Sequence, residues 1–535
     1  MGALGDALYA NTGNINMKKE KIITIIFFVF VALVLILGIR GIVGNPTTET
    51  INNPIWTSDG PLELSPDRGR FSLMYSIAED HSVKFSLPIA RFTTPDLGIS
   101  PKGEYVSLFA PGVSFAILPG YYVGKLFGVS QVGAFAVIAL FALFNAGLIR
   151  AIAMRLGASI YAASFGALAF LFASPAFAYA VTLYQHHIST FLILSSMYVL
   201  LRWRGWWGIS YIWFAIVLSL SVDYPNLFLM LPLGVWAFSR VVWFEKDSHG
   251  FQFQISLLNI LTVVSVVLPL AFFLWYNAAA NGSPLQLSGT LKRAEAIDEA
   301  GKPVQPQLAR ILGLAELDPN RKKTAIGFFH SRNLLNGFYT HFLSLDRGVV
   351  NFAPVMLLGF FGLYYVFKKS ITAGKVLVGI IGFNILLYSM WGDPYGGWAF
   401  GSRYLIPSYA VLGIGIAMLL EYAKKQYIIL LVCMALLSQS VWIGVLGAVT
   451  SNRNPPQIEI LALEKISGHE EKYSFDRNEQ YLASNHSKSF VFNTIGYRYM
   501  NAPTYRALIA GLVIAMCALL LGGLLFDKQK EKQYE

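Results

Sequence analysis

The stretch Met390-Trp391-Gly392-Asp393-Pro394-Tyr395-Gly396-Gly397-Trp398-Ala399-Phe400-Gly401-Ser402-Arg403-Tyr404 places an arginine directly after a glycine-rich loop. A guanidinium meets phosphate or carboxylate in a two-pronged geometry, and free backbone N–H groups in such a loop can contact the same anion. Arg403 is therefore the first candidate for an anion ligand, the plain alternative being an interfacial arginine that reaches lipid head groups. Arg347, in Leu345-Asp346-Arg347-Gly348, carries the same argument in a shorter motif. Asp393 is a candidate substrate contact in the loop itself. Trp391 and Trp398 offer flat faces to a sugar or a prenyl chain. An aromatic belt accounts for them equally well, since Trp and Tyr concentrate at membrane interfaces.

Carboxylates gather in a second stretch, 56–128, where Asp59, Glu63 and Asp67 are followed by Asp80 in Glu79-Asp80-His81. A carboxylate beside a hydroxyl can take its proton as a general base, and a solvated loop aspartate is the alternative at each position. Asp223 ends an apolar run just before Tyr224-Pro225, a costly place for a charge unless it serves a purpose or faces water. It is a candidate substrate contact or a cap of that turn. His186 and His187 are adjacent, so their side chains diverge and a shared metal ion is not supported. Either one can donate a hydrogen bond to a phosphate or sugar, or sit as an interfacial histidine. No HExxH, CxxC pair, Walker or dinucleotide glycine motif occurs, so nothing demands a metal or other cofactor.

The elements that position these residues belong to a membrane. Of 535 residues, 55% are hydrophobic and 13% are charged, against about 25% charged in a soluble domain. The net charge of +11 is not gathered in one basic tract, which argues against nucleic acid. Many of the lysines and arginines instead lie at the ends of apolar runs, as at cytoplasmic helix ends. Cys433 and Cys517 both fall inside apolar runs and read as free buried thiols. Residues 1–16 carry almost no charge and read as a tag or a misassigned start. The first apolar run is too long for a cleavable signal.

A span takes roughly 20 apolar residues. The run 22–43 qualifies, and Lys18, Lys19 and Lys21 before it put the N-terminus in the cytoplasm. An apolar helix over 106–127 opens at Ala110-Pro111-Gly112 and contains Pro119-Gly120. It is expected to lie along the membrane surface, which keeps Arg150 and Arg155 cytoplasmic. Further spans then follow near 131–150, 158–177, 188–201, 208–222, 226–240, 255–277, 352–367, 376–390, 404–421, 427–449 and 505–526. This makes an all-α bundle of about twelve spans with both termini inside. The domain plan is a cytoplasmic segment 1–21, a transmembrane domain 22–449 with external loops 44–130 and 278–351, an external segment 450–504, and a last helix with a basic tail, 505–535. The second and third external segments are expected to form small caps. The candidate residues all converge on the external face of a multi-pass plasma-membrane protein.

Several motifs together resemble the GT-C fold of polytopic glycosyltransferases, the superfamily of mannosyl, aminoarabinose and arabinofuranosyl transferases. They are the acidic first loop SPDRGRFSLMYSIAEDHS, the helix start Leu108-Phe109-Ala110-Pro111-Gly112, the segment YGGWAFGSRYLIP and the run Leu345–Pro354. The resemblance covers roughly 56–410. It implies a polyprenyl-phosphate-linked sugar donor, and a glycan, lipid or protein hydroxyl as acceptor on the outer face. It also implies a catalytic aspartate in the first loop, placed at Asp67 with Asp59 and Asp80 as alternatives, because the second acidic residue usual in the family is here Arg68. Arg403 and Arg347 would hold the donor phosphate, and His186, His187, Asp223, Trp391, Asp393 and Trp398 would line the substrate. Some members use a divalent metal. A secondary transporter of about twelve spans and a lipid-linked oligosaccharide ligase or polymerase are the alternatives. Against the transporter stand the absence of a visible repeat and span centres that are mostly uncharged.

Overall fold

The structure, a computed structural model, describes residues 2–247, 250–304 and 326–534. It is mostly helical, and among the described residues seven helices are long and apolar enough to cross a membrane: Lys19–Gly38, Ser130–Arg155, Leu257–Asn281, Ile371–Ser389, Arg403–Ala423, Tyr427–Val449 and Ala502–Phe526. The other five expected spans form helices too, but short ones. They are Ile160–Phe172, His186–Arg202, Trp206–Val222, Leu231–Val241 and Leu358–Lys369, of 13, 17, 17, 11 and 12 residues. Proline explains three of these lengths. Pro175 caps a separate helix Ala176–Ala180, Pro225 opens Asn226–Leu229 ahead of Leu231–Val241, and Pro354 starts a 3-10 turn before Leu358–Lys369. In each case a ring that cannot donate an N–H restarts the helix.

The Arg403–Ala423 helix lies at the centre, with 89% of its most apolar window buried, against 28% for Lys19–Gly38 and 17% for Leu257–Asn281. Its neighbours are Leu358–Lys369 and Ile160–Phe172. Glycines let these helices touch backbone to backbone. A Cβ on Gly415 would lie 2.2 Å from the Gly359 carbonyl oxygen, and one on Gly413 would lie 2.8 Å from that of Gly166. Small residues at such contacts are how helices approach closely where lipid supplies no hydrophobic drive between them.

The segment 44–130 folds on this scaffold with two main helices. Ser65–Glu79 carries Asp67 in its first turn, and Gly112–Leu126, capped by Pro111, packs along Ser130–Arg155. The second has 15 residues, fewer than the roughly 20 of a straight span. The all-α expectation needs one correction. Strands Tyr105–Ser107, Leu97–Ile99 and Lys292–Ala294 form a three-stranded antiparallel sheet with Gly98 opposite both Val106 and Arg293. Two further hairpins occur at Val242–Asp247 with Gly250–Ile255 and at Ala296–Ile297 with Pro303–Val304. Extended loop backbone must find hydrogen-bond partners, and here the segments 44–130 and 278–351 supply them to each other. Part of the second, 305–325, lies outside the described residues. Cys433 and Cys517 are free and buried.

Because Gly415 admits no side chain, Gly415→Leu should destabilise the protein by about 3 kcal/mol or more through overpacking. The expected result is a lower melting temperature in detergent, and an unchanged melt would contradict the close approach.

Candidate functional site

Asp67 sits in the first turn of the Ser65–Glu79 helix with 1% of its surface exposed. Its Oδ1 accepts the Leu183 backbone N–H at 2.8 Å, and its Oδ2 has no partner. Burial pushes its carboxyl up to about 6, against the pull of the Leu183 N–H, Arg40 and Arg70. Arg70 lies three residues on, so it shares the Asp67 side of the helix. Its Nη2 donates to Gln185 Oε1 at 2.6 Å and its Nη1 to the Pro66 carbonyl at 3.2 Å, while its Nε is unpartnered. Gln185 in turn donates from Nε2 to Asp223 Oδ2 at 2.9 Å. Asp223 caps the Trp206–Val222 helix, and burial pushes its carboxyl upward despite Gln185, Arg70 and Arg403.

Arg403 approaches from the other side. Its guanidinium lies 4.7 Å from the centre of the Tyr184 ring and 5.4 Å from that of Tyr404, and Arg70 lies 5.3 Å from the same Tyr184 ring. Arg403 Nη2 donates to the Gly396 carbonyl at 2.7 Å, but its Nε and Nη1 are buried without partners. His186 stacks parallel to Tyr184 at 5.8 Å. The Tyr184 hydroxyl and His186 Nε2 are also unpartnered. Five neighbouring residues thus carry orphaned buried polar atoms: Asp67, Arg70, Tyr184, His186 and Arg403. Native interiors satisfy nearly all such groups, so this concentration makes the cluster the candidate site.

The glycine-rich loop owes its shape to two residues that were expected to touch substrate. Asp393 accepts from the Tyr395 N–H at 3.1 Å and the Gly397 N–H at 2.6 Å, closing a turn in which Gly396 and Gly397 have φ of 73° and 60°. Arg347, 1% exposed, donates to the carbonyls of Tyr395, Asp346, Gly397 and Asn454 at 2.8–3.0 Å. Four of the five N–H groups of its guanidinium are therefore spent on backbone. Both residues thus hold the loop that carries Arg403.

The remaining candidates divide. Trp391 stacks on Phe328 at 5.3 Å and lies 6.4 Å from Tyr404, within an aromatic wall beside the site. Trp398 does not line the site, because its Nε1 donates to Glu459 Oε2 at 2.8 Å and its ring faces Arg453 and Arg477. It fastens the 450–504 segment. His187 is turned away, with Nε2 2.8 Å from the Ala176 carbonyl oxygen and its own carbonyl accepting from Asn145 at 2.9 Å. Asp59 and Asp80 are exposed. Asp80 lies thirteen residues beyond Asp67 at the far end of one helix, about 20 Å away.

Sequence reasoning passed over Arg70, Tyr184, Gln185 and His341. The i, i+3 spacing of Asp67 and Arg70 was a usable signal. Nothing in the sequence marked His341, whose Nδ1 lies 2.6 Å from Ser402 Oγ and whose Nε2 is unpartnered. Burial pushes its imidazole down to about 4, so it is neutral at physiological pH. Among the described residues, no three or more His, Cys, Asp or Glu side chains gather as a metal-ligand set.

No family model matches the chain, and no curated protein matches it. Two solved structures of ArnT from Cupriavidus metallidurans are similar to it, one in the apo state and one bound to undecaprenyl phosphate. Their TM-scores are 0.44 and 0.45 at 14% identity, over 94% of this chain and 77% and 78% of those chains.

Two outcomes follow from the site. Lysine has one donor head and cannot replace a fork that meets four carbonyls, so Arg347→Lys should speed hydrogen exchange over 393–400. Unchanged exchange would mean that the loop holds without it. Asp67 has a folded pKa raised above its unfolded value, so its contribution to stability is present below about pH 4 and is lost as pH rises through about 6. Asp67→Asn should therefore melt higher than wild type at pH 8, with the gap closing as pH falls through that window.

Proposed function

We propose that this protein is an integral membrane glycosyltransferase of GT-C type, moving a sugar from a polyprenyl-phosphate donor to an acceptor hydroxyl on the outer face. The observation that carries the reading is a buried carboxylate with one free oxygen, Asp67 Oδ2, beside two guanidinium groups with unspent donors, Arg70 and Arg403. A leaving phosphate is already anionic and needs cations rather than a proton donor, whereas an acceptor hydroxyl needs a base. Arg403 Nε and Nη1, joined by Arg70 Nε, are the proposed phosphate ligands. Asp67 is the proposed base. The acceptor oxygen bonds to the anomeric carbon, the bond from that carbon to the phosphate oxygen breaks, the hydroxyl proton passes to Asp67, and polyprenyl phosphate leaves.

The lysine and arginine pattern supports an external site with both termini cytoplasmic. The motif resemblance supports the donor class, and the buried polar cluster suits a reaction kept from bulk water. His186, Tyr184 and Asp223 are proposed to contact donor or acceptor, with Trp391 forming one wall. The motifs that carry the GT-C resemblance demand no cofactor.

The test is transfer of radiolabelled sugar from a panel of polyprenyl-phosphate donors by purified protein. Asp67→Asn should lower kcat by about two to four orders of magnitude, the usual worth of a general base, and Arg403→Ala should raise donor KM and lower kcat. Since the base must be ionised, kcat/KM should rise with pH through about 6 and flatten above it. No transfer from any donor would defeat the reading, and an unimpaired Asp67→Asn would move the base elsewhere.

A further inference from the structure

Arg403 Nη2 donates to the Gly396 carbonyl, and its Nε and Nη1 are unspent. Where those two nitrogens point depends on the backbone on either side of the residue. Ser402, just before it, is buried and stands at the N-cap of the turn Arg403–Leu405. A serine there commonly accepts a backbone N–H of the turn it caps, yet the Ser402 side chain makes no such bond. Its Oγ lies instead 2.6 Å from Nδ1 of His341, 61 residues away in the chain. Tyr404, just after Arg403, meets the same imidazole nearly at right angles, with ring centres 6.3 Å apart. Tyr404 in turn stacks on Tyr388 at 4.3 Å and faces the Arg403 guanidinium. His341 is buried on the helix Leu334–Phe342, which is itself held close. A Cβ on Gly337 would lie 2.2 Å from the Ser389 carbonyl oxygen of the neighbouring helix.

From these contacts we infer that His341 is a positioning residue: it grips Ser402 and Tyr404 and so sets where the unspent nitrogens of Arg403 lie. The inference rests on the proposed role of Arg403 as a phosphate ligand, and His341 itself touches no substrate. Three observations separate this role from that of a histidine filling the core. A filler needs no polar neighbour, whereas His341 holds a buried hydroxyl that has given up its local cap. Its hydrogen bond and its ring contact fall on the two residues flanking one arginine. The loop before them is tied in the same way, the Ala399 N–H to the Asn454 carbonyl and the Phe400 N–H to the Tyr179 hydroxyl, at 3.0 Å each. Ser402 is the last of these ties before the arginine. A neutral imidazole offers one donor and one acceptor nitrogen, and a hydroxyl can meet either, so the contact forms in both tautomers. Without it Arg403 would keep its charge but lose its orientation.

Two readouts on full-length protein in lipid nanodiscs test this. Hydrogen exchange needs no ligand. His341→Leu should speed it about tenfold over 400–406, the order set by one buried hydrogen bond, and leave the Tyr427–Val449 helix unchanged. His341→Asn, whose amide again offers a donor and an acceptor, should restore the wild-type rate. Unchanged exchange in His341→Leu, or a loosening that spreads to other helices and that asparagine does not repair, would overturn the inference. The second readout is affinity for undecaprenyl phosphate. His341→Leu and Ser402→Ala should each weaken binding about tenfold. The two together should lose no more than either alone, and neither should cost anything further once Arg403→Ala is present. A loss that persists in the Arg403→Ala background would place the effect elsewhere and overturn the inference as well. Should His341→Leu fold poorly, Ser402→Ala alone reads the same contact by both measures. A wild type that binds no prenyl phosphate, with exchange following the expected pattern, would refute the donor reading and support the positioning role.

Discussion

Arg40, fully buried just past the end of the first long helix, holds together parts of the chain that are hundreds of residues apart. Its Nη1 lies 3.2 Å from Glu63 Oε1, and its Nη2 donates to the Gly447 carbonyl at 2.9 Å and Asn452 Oδ1 at 3.0 Å. Glu63 also accepts from the Asn452 N–H and Ser451 Oγ at 2.8 Å each, and Lys488 Nζ lies 3.7 Å away. Burial alone would raise the Glu63 carboxyl, but Lys488, Arg40 and these hydrogen bonds together hold it below its usual value. A buried pair offsets its desolvation only when its geometry is good and its remaining valences are filled, and here both conditions are met. The consequence reaches the site. Glu63 lies four residues before Asp67, so the knot that ties the first helix, the Tyr427–Val449 helix and the 450–504 segment also fixes where the Ser65–Glu79 helix begins.

The site is the opposite case. Glu63 is fully partnered, whereas Asp67, one turn further on, keeps an oxygen free and carries a raised pKa. Arg347 spends its guanidinium on four carbonyls, whereas Arg403, at the other end of the same loop, keeps two nitrogens unspent. Each reactive candidate has a satisfied partner of its own type nearby that does the holding. Orphaned groups lower stability and are retained where function needs them. The framework that carries them is stiff. Arg403 sits at the start of the most deeply buried helix, which glycine contacts lock to its neighbours.

Much of this was readable in the residues. Hydropathy placed every long helix, and Pro111 marked the start of the Gly112–Leu126 helix because proline favours a helix start. The glycine-rich loop before Arg403 pointed to the arginine whose Nε and Nη1 are buried without partners. Five expected spans are helices of 17 residues or fewer, three of them because proline cuts the apolar run. The small sheets were not legible, since strands of two or three residues leave no periodic signal.

Sequence by itself determined the solvent of this protein and the residue types of its polar clusters, because hydropathy, charge asymmetry and glycine or proline punctuation are local properties. Only the tertiary structure decided which members of each cluster are held and which are free. Arg347 and Arg403 look alike in sequence, as do His186 and His187, or Asp59, Glu63 and Asp67. What separates them is the hydrogen-bond partners brought up from distant segments: Asn454 to Arg347, Ala176 to His187, Lys488 and Asn452 to Glu63. Those partners lie from 11 to more than 400 residues away, and no local pattern encodes a pairing made by packing.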